Sequence, residues 1–246
     1  MTLVLKLGGS VITQKDRSET VDSAALERTA AAVGEAGVED LVLVHGGGSF
    51  GHHHAQRHGV TRSVGTHDAG AIRDIHGAMA TLCDAVVAAL QESGVPALPV
   101  HPLSVAARTE EGLAIPMEAI ETLLTEGFVP VLHGDVIGHS GHGATIVSGD
   151  ELVVSIAESL DADRVGLCSA VPGVLDETGK VVPSIEDRAA VGAALGESET
   201  TDVTGGMAAK VDVLLAGSTP AWIFGVDDLP AFLAGENPGT QVGPSA

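Results

Sequence analysis

Positive charge is scarce in this chain. Among 246 residues, 12 lysines and arginines face 33 aspartates and glutamates, for a formal charge of −21. So acidic a molecule is repelled by nucleic acid and by anionic membranes, which excludes both as partners. Cysteine is nearly missing too. Cys83 and Cys168 sit in apolar surroundings and read as two buried free thiols, not a disulfide framework. Although 44% of the residues are apolar, no run approaches the ~18 consecutive apolar residues of a membrane span. No charged-then-apolar leader precedes the first strand at Leu3, so the expected location is cytoplasmic. Low-complexity linkers and internal repeats are absent. So is any Gly-x-x-x-x-Gly-Lys-Ser/Thr segment, which excludes a P-loop enzyme. A dispersed acidic surface with few lysines suggests adaptation to high salt, where screening relieves self-repulsion.

The lysines that do occur are informative. They are Lys6, Lys15, Lys180 and Lys210. Lys6 abuts Gly8-Gly9-Ser10, Lys15 follows on the same loop, and Lys210 comes just after Gly205-Gly206. Three of the four accompany glycine-rich turns, as expected if an anion must be held against the net charge of the chain. The most prominent turn is His45-Gly-Gly-Gly-Ser-Phe-Gly-His52, which follows the apolar run Leu41 to Val44. Consecutive glycines at the end of a strand free backbone N–H groups to close around an anion. A helix starting behind them, expected near His53, adds its positive dipole end. His52 is then a donor to the same anion from the far side of the loop. Each turn also fits a plain tight connection. Gly46, Gly48 and Gly51 satisfy Gly-x-Gly-x-x-Gly, but no acidic residue clearly ends the next strand, which argues against dinucleotide binding.

Strands are expected at 3–7, 41–44, 96–100, 128–132, 164–168, 221–224 and 239–242. Helices are expected at about 24–37, 67–93, 117–126, 150–160, 185–195, 204–215 and 229–233. The segment 136–147 reads as a hairpin or flap, and 179–183 as a small hairpin. Strands alternating with helices argue an α/β protein with a mainly parallel sheet covered on both faces, its ligand along the carboxyl edge. The longest helix carries Ile72, Ile75, Met79, Leu82, Val86 and Leu90 at steps of three and four. That face packs a core or walls an apolar pocket. Asp150, at the start of a helix, reads as a simple cap or as a carboxylate that orients a lysine.

Taken together, Lys6-Leu-Gly-Gly-Ser10, the loop His45 to His52, Ser148-Gly149-Asp150 and Asp202-Val-Thr-Gly-Gly-Met-Ala-Ala-Lys210 resemble the amino acid kinase superfamily in order and spacing along nearly the whole chain. The ending Gly239-Thr240 is familiar for the group as well. Within it, the Gly-Gly-Gly-Ser-Phe-Gly-His form is similar to archaeal isopentenyl phosphate kinases and to the related fosfomycin kinases. The resemblance implies a three-layer αβα sandwich made of one domain, 1–246. Its N-terminal half (about 1–147) would bind the acceptor and its C-terminal half (about 148–246) the nucleotide. It implies ATP with Mg²⁺ as phosphoryl donor, isopentenyl phosphate as acceptor, direct transfer and a homodimer. In the roles it assigns, Lys6, Gly8, Gly9 and Ser10 cradle the ATP phosphates, and Gly48 faces the nucleotide. Gly206 and Lys210 bind nucleotide phosphates. Gly47, His52 and Gly149 hold the acceptor, Lys15 neutralises the transition state, and Asp150 orders the lysines. No resident metal site is implied.

A phosphomonoester acceptor is already an anion, so alignment and charge compensation suffice without a general base. One departure stands out. The family has Asp-Val-Asp-Gly-Val where this chain has Ala170-Val-Pro-Gly-Val174, so two carboxylates on the nucleotide side are missing. Fosfomycin or another small phosphate or phosphonate remains an alternative acceptor. Two readings of other classes are a non-catalytic regulatory binder and a metal-binding module built from His52, His53, His54 and His58.

Overall fold

Successive residues of the first strand alternate between two cores. Leu3, Leu5 and Leu7 pack on one side and Val4 on the other, as a strand buried on both faces requires. The same alternation separates Leu41 and Leu43 from Val42 and Val44. The computed structural model describes residues 1–187 and 206–243. Its strands are β1 (Leu3–Leu7), β2 (Leu41–His45), β3 (Ala97–Pro99), β4 (Ala107–Thr109), β5 (Gly112–Ala114), β6 (Val129–His133), β7 (Asp135–His139), β8 (Gly143–Val147), β9 (Arg164–Ser169), β10 (Ser184–Ile185), β11 (Ala221–Gly225) and β12 (Thr240–Val242). The α-helices are α1 (Gly9–Ile12), α2 (Ser23–Ala36), α3 (Gly48–His58), α4 (Ala69–Glu92), α5 (Pro102–Val105), α6 (Glu118–Thr125), α7 (Gly149–Ser159), α8 (Gly206–Leu215) and α9 (Leu229–Leu233).

Eight strands form one sheet in the order β10-β12-β11-β9-β1-β2-β6-β3. Only the β11–β12 pair is antiparallel. Helices α2, α4 and α9 cover one face through Leu26, Val33, Leu82, Val86 and Phe232. Helices α6, α7 and α8 cover the other through Ile120, Leu152, Ile156, Val211 and Leu214. The result is the expected three-layer α/β arrangement. No helix among the described residues is long and apolar enough to cross a membrane.

Register decides where the turns fall. Leu7 lies beside His45 on one flank and Cys168 on the other, and His45 lies beside His133. The turns after β1, β2, β6 and β9 therefore emerge side by side at the carboxyl edge.

The structure departs from sequence expectation in three places. Helix α3 starts at Gly48, not near His53, because the turn is completed by Gly46 and Gly47 and Gly48 takes a left-handed φ of +48°. His52 thus sits inside the helix, not beyond a loop. Residues 136–147 do form a hairpin, β7–β8, but it joins a second sheet, β5-β4-β7-β8, whose other two strands were not foreseen. Ser184 and Ile185 begin no helix. They pair with Gln241 and Val242, the next two residues are not helical either, and residues 188–195 of the expected helix lie outside the described residues. Thr204 and Gly205 lie outside them as well.

Candidate functional site

Two glycine turns are pressed together at the carboxyl edge. A Cβ on Gly9 would lie 2.2 Å from the backbone N of Gly48, and one on Gly46 would lie 2.6 Å from the N of Gly9. Only glycine permits that approach. Thr13, buried at the end of α1, ties the turns together. Its hydroxyl donates to Gly9 O at 2.8 Å and accepts from Ser49 N at 3.0 Å. The turn after β6 joins the row through Gly134 N, which donates to His45 O at 3.1 Å.

Lys6 shares the parity of Val4 and so points to the α7 face, where its Nζ donates to Asp150 Oδ1 at 2.5 Å. The two side chains are only 8% and 14% exposed, which makes this a largely desolvated pair. Asp150 is not the helix cap. Ser148 caps α7 in a box with Glu151, each side chain bonding the other's backbone N–H. That arrangement leaves Asp150 available to hold the lysine. Glu151 in turn accepts from Arg62 at 2.9 Å and Arg108 at 3.0 Å, fixing the start of α7 from the side of the small sheet. A Cβ on Gly149 would come within 3.0 Å of Lys6 Cε, so the aliphatic stem of the lysine lies against that glycine.

A cleft of about 1190 Å³ opens over this edge. Its wall brings together all the residues expected from the sequence. Lys6, Gly8, Gly9, Ser10 and Lys15 come from the first turn, and Gly47, Gly48 and His52 from the second. Gly149 and Asp150 come from α7, and Gly206 and Lys210 from α8. One end is apolar, with Val60, Ile75, Met79 and Ile146; the long helix α4 thus contributes wall as well as core. Ala170 and Val171, which occupy the place of the family's acidic segment, line the cleft too. Beside them, Gly173 is closed against Thr240, whose Oγ1 would meet an added Cβ at 2.7 Å.

The other histidines of α3 do not converge on one point, although the rings of His53 and His54 meet edge to face at 5.5 Å. His54 pairs with Glu19, and His58 Nε2 lies 3.3 Å from Asp74 Oδ2. Sequence reasoning missed a different group, in which His45, His76, His101 and His133 pack with Asp135 behind the turns. Their ring centroids are 5.3 to 6.3 Å apart. Burial holds His133 neutral, its pKa pushed down to about 3, and lowers His45 to about 4. His76 goes the other way, because its Nδ1 lies 2.8 Å from Asp135 Oδ2. Asp135 also accepts from Leu103 N and Val136 N. The segment His133-Gly-Asp135 at a strand end was the available signal for this group. Thr13 had none.

The geometry is that of a phosphate-handling enzyme built on a doubly covered sheet. The chain belongs to the amino acid kinase family, whose model matches residues 1–220. It is 62% identical over 242 residues to the isopentenyl phosphate kinase of Haloferax volcanii, covering 98% of each chain. The isopentenyl phosphate kinase of Methanothermobacter thermautotrophicus is 34% identical, with 87% of this chain and 85% of that one covered. Among solved structures, one described as isopentenyl phosphate kinase superposes with a TM-score of 0.86 at 27% identity, over 98% of this chain and all of that one.

Proposed function

We propose that the protein transfers the γ-phosphoryl group of ATP to isopentenyl phosphate, giving isopentenyl diphosphate. The observation that carries this reading is the contact between the turns after β1 and β2 with Lys6 beneath them. Two anions seated on two such turns stand next to each other, above a buried ammonium. Close relatives carrying the name isopentenyl phosphate kinase support the choice of acceptor, as does the apolar end of the cleft.

In this reading the N-terminal half, to about 147, supplies most of the acceptor side and the rest completes the nucleotide side, the two meeting at the turns after β1 and β2 and the start of α7. Gly8, Gly9, Ser10, Gly48, Gly206 and Lys210 hold the phosphates of ATP, which enters with Mg²⁺ as one substrate. Gly47, Gly149 and His52 hold the acceptor phosphate, and Ile75 and Met79 meet the prenyl tail. Lys6 and Lys15 compensate charge as the phosphoryl group moves, while Asp150 holds Lys6 in place. No base is needed, because the acceptor oxygen is already ionised. Removing one such electrostatic donor commonly costs ~10²–10³-fold in turnover. The carboxylates lost at Ala170 and Pro172 leave backbone contacts to hold the nucleotide there. A cytoplasmic homodimer adapted to high salt completes the reading, supported by family resemblance and by the charge of −21.

The test is a panel of acceptors with ATP and Mg²⁺ in molar KCl, following ADP release. Isopentenyl phosphate should be the preferred acceptor. Turnover of fosfomycin but not of isopentenyl phosphate would overturn the assignment.

A further inference from the structure

The histidine group behind the turns includes atoms that no step above uses. His101 Nδ1 and His133 Nε2 face each other at 3.0 Å. Cys83 Sγ on α4 joins them, so that one sulfur and two ring nitrogens all lie within 4.8 Å of one another. Cys83 and His133 are fully buried, and His101 is half-buried. We propose that Cys83, His101 and His133 form a binding site for a divalent transition metal of borderline softness, Zn²⁺ being the expected occupant.

Four features support it. One thiolate with two imidazoles is a donor set that suits Zn²⁺ and Co²⁺ and disfavours Mg²⁺. Ligating histidines characteristically have their other nitrogen fixed by an oxygen acceptor. His133 fits this pattern, its Nδ1 lying 3.1 Å from Gly134 O and 3.8 Å from Asp135 Oδ2. That contact directs the Nε2 lone pair toward Cys83 and His101. His45 packs its ring 5.4 Å from that of His133 and keeps a buried Nε2 without a hydrogen-bond partner among the described residues, a further imidazole nitrogen on the His133 side. Finally, the three residues come from three elements, α4, the β3–α5 connection and β6. A metal there would tie the wall of the apolar end of the cleft to the strand that precedes Gly134.

The hydrogen bond from one imidazole to the other is the metal-free alternative, and it needs no thiol. Binding replaces it, and the Cys83 proton leaves to solvent as the sulfur–metal bond forms.

The test uses the full chain, stripped with a chelator and dialysed in molar KCl against Co²⁺ and, separately, Zn²⁺. About one equivalent of metal per chain is expected, with a thiolate-to-cobalt charge-transfer band and a higher melting temperature with Zn²⁺. Cys83→Ser should abolish the band. His101→Ala, at a half-buried position, should weaken binding at least tenfold even if Cys83→Ser fails to fold. The double variant His54→Ala/His58→Ala should bind as wild type does. Absence of stoichiometric binding, a band that survives in Cys83→Ser, unchanged affinity in His101→Ala, or loss of binding only in the His54/His58 variant would each overturn the site. None of these readouts depends on the identity of the phosphate acceptor.

Discussion

Gly9→Ala probes the contact on which the site is built. A methyl at this position would lie 2.2 Å from Gly48 N and 2.5 Å from Gly48 Cα, both backbone atoms that no rotamer change can move aside. Carbon atoms rest at about 3.5–4.0 Å, so the two turns must part by roughly 1 Å. A misplacement of that size costs ~10²-fold in rate when the reacting groups must be aligned, or ~2.7 kcal/mol of barrier. Overpacking should also lower stability by about 1–3 kcal/mol. The assay is kcat and KM for both substrates, with a thermal melt to show that the fold persists. Gly77→Ala is the control, because Gly77 is exposed within α4 and an added Cβ there has nothing within 4 Å. It should stabilise the protein by about 0.5–1 kcal/mol and leave turnover alone. A Gly9→Ala enzyme that folds and turns over within twofold of wild type would refute the idea that the two turns must touch for transfer.

The remaining predictions concern charge. His45 and His133 have folded pKa values pushed down to about 4 and about 3, below the ~6.5 of an unfolded histidine. The unfolded chain therefore takes up protons that the folded one refuses, and stability present above pH ~6.5 is lost as pH falls. Between pH 7.5 and 5 each should remove about 2 kcal/mol. Chemical denaturation of chelator-treated protein at constant salt reads the sum, and a flat profile would contradict it. His76, raised by Asp135, acts in the opposite sense, stabilising at low pH and losing that contribution as pH rises through its folded value. In steady-state assays, His52→Ala should lose most turnover while His54→Ala, paired with Glu19, loses little; equal losses would count against the assigned acceptor role of His52. Stability should rise from low to molar KCl as the charge of −21 is screened, and equal midpoints would remove the case for salt adaptation.

Much of this was legible from local pattern. Short apolar runs mark β1 and β2, and three-and-four spacing from Ile72 to Leu90 marks α4. Glycines beside scarce lysines mark the cleft. What stayed hidden depended on tertiary placement. The short strands β4 and β5 hold three residues each and carry no periodicity of their own. The start of α3 at Gly48 follows from a left-handed φ that three consecutive glycines leave undetermined. Asp150 read as a cap or as a lysine-orienting carboxylate until Ser148 and Glu151 were seen to share the capping. The histidine group is assembled from four separate segments of the chain, so no spacing rule could gather it. Thr13 matters only because two turns happen to meet at its hydroxyl.

The central claim is that donor and acceptor phosphates lie side by side on the two glycine turns and that transfer between them is direct. The stereochemical course of transfer tests it, using ATP made chiral at the γ-phosphorus with oxygen isotopes. The account predicts inversion at phosphorus, the outcome of a single in-line displacement. Retention would mean two displacements through a phosphorylated side chain and would contradict the account.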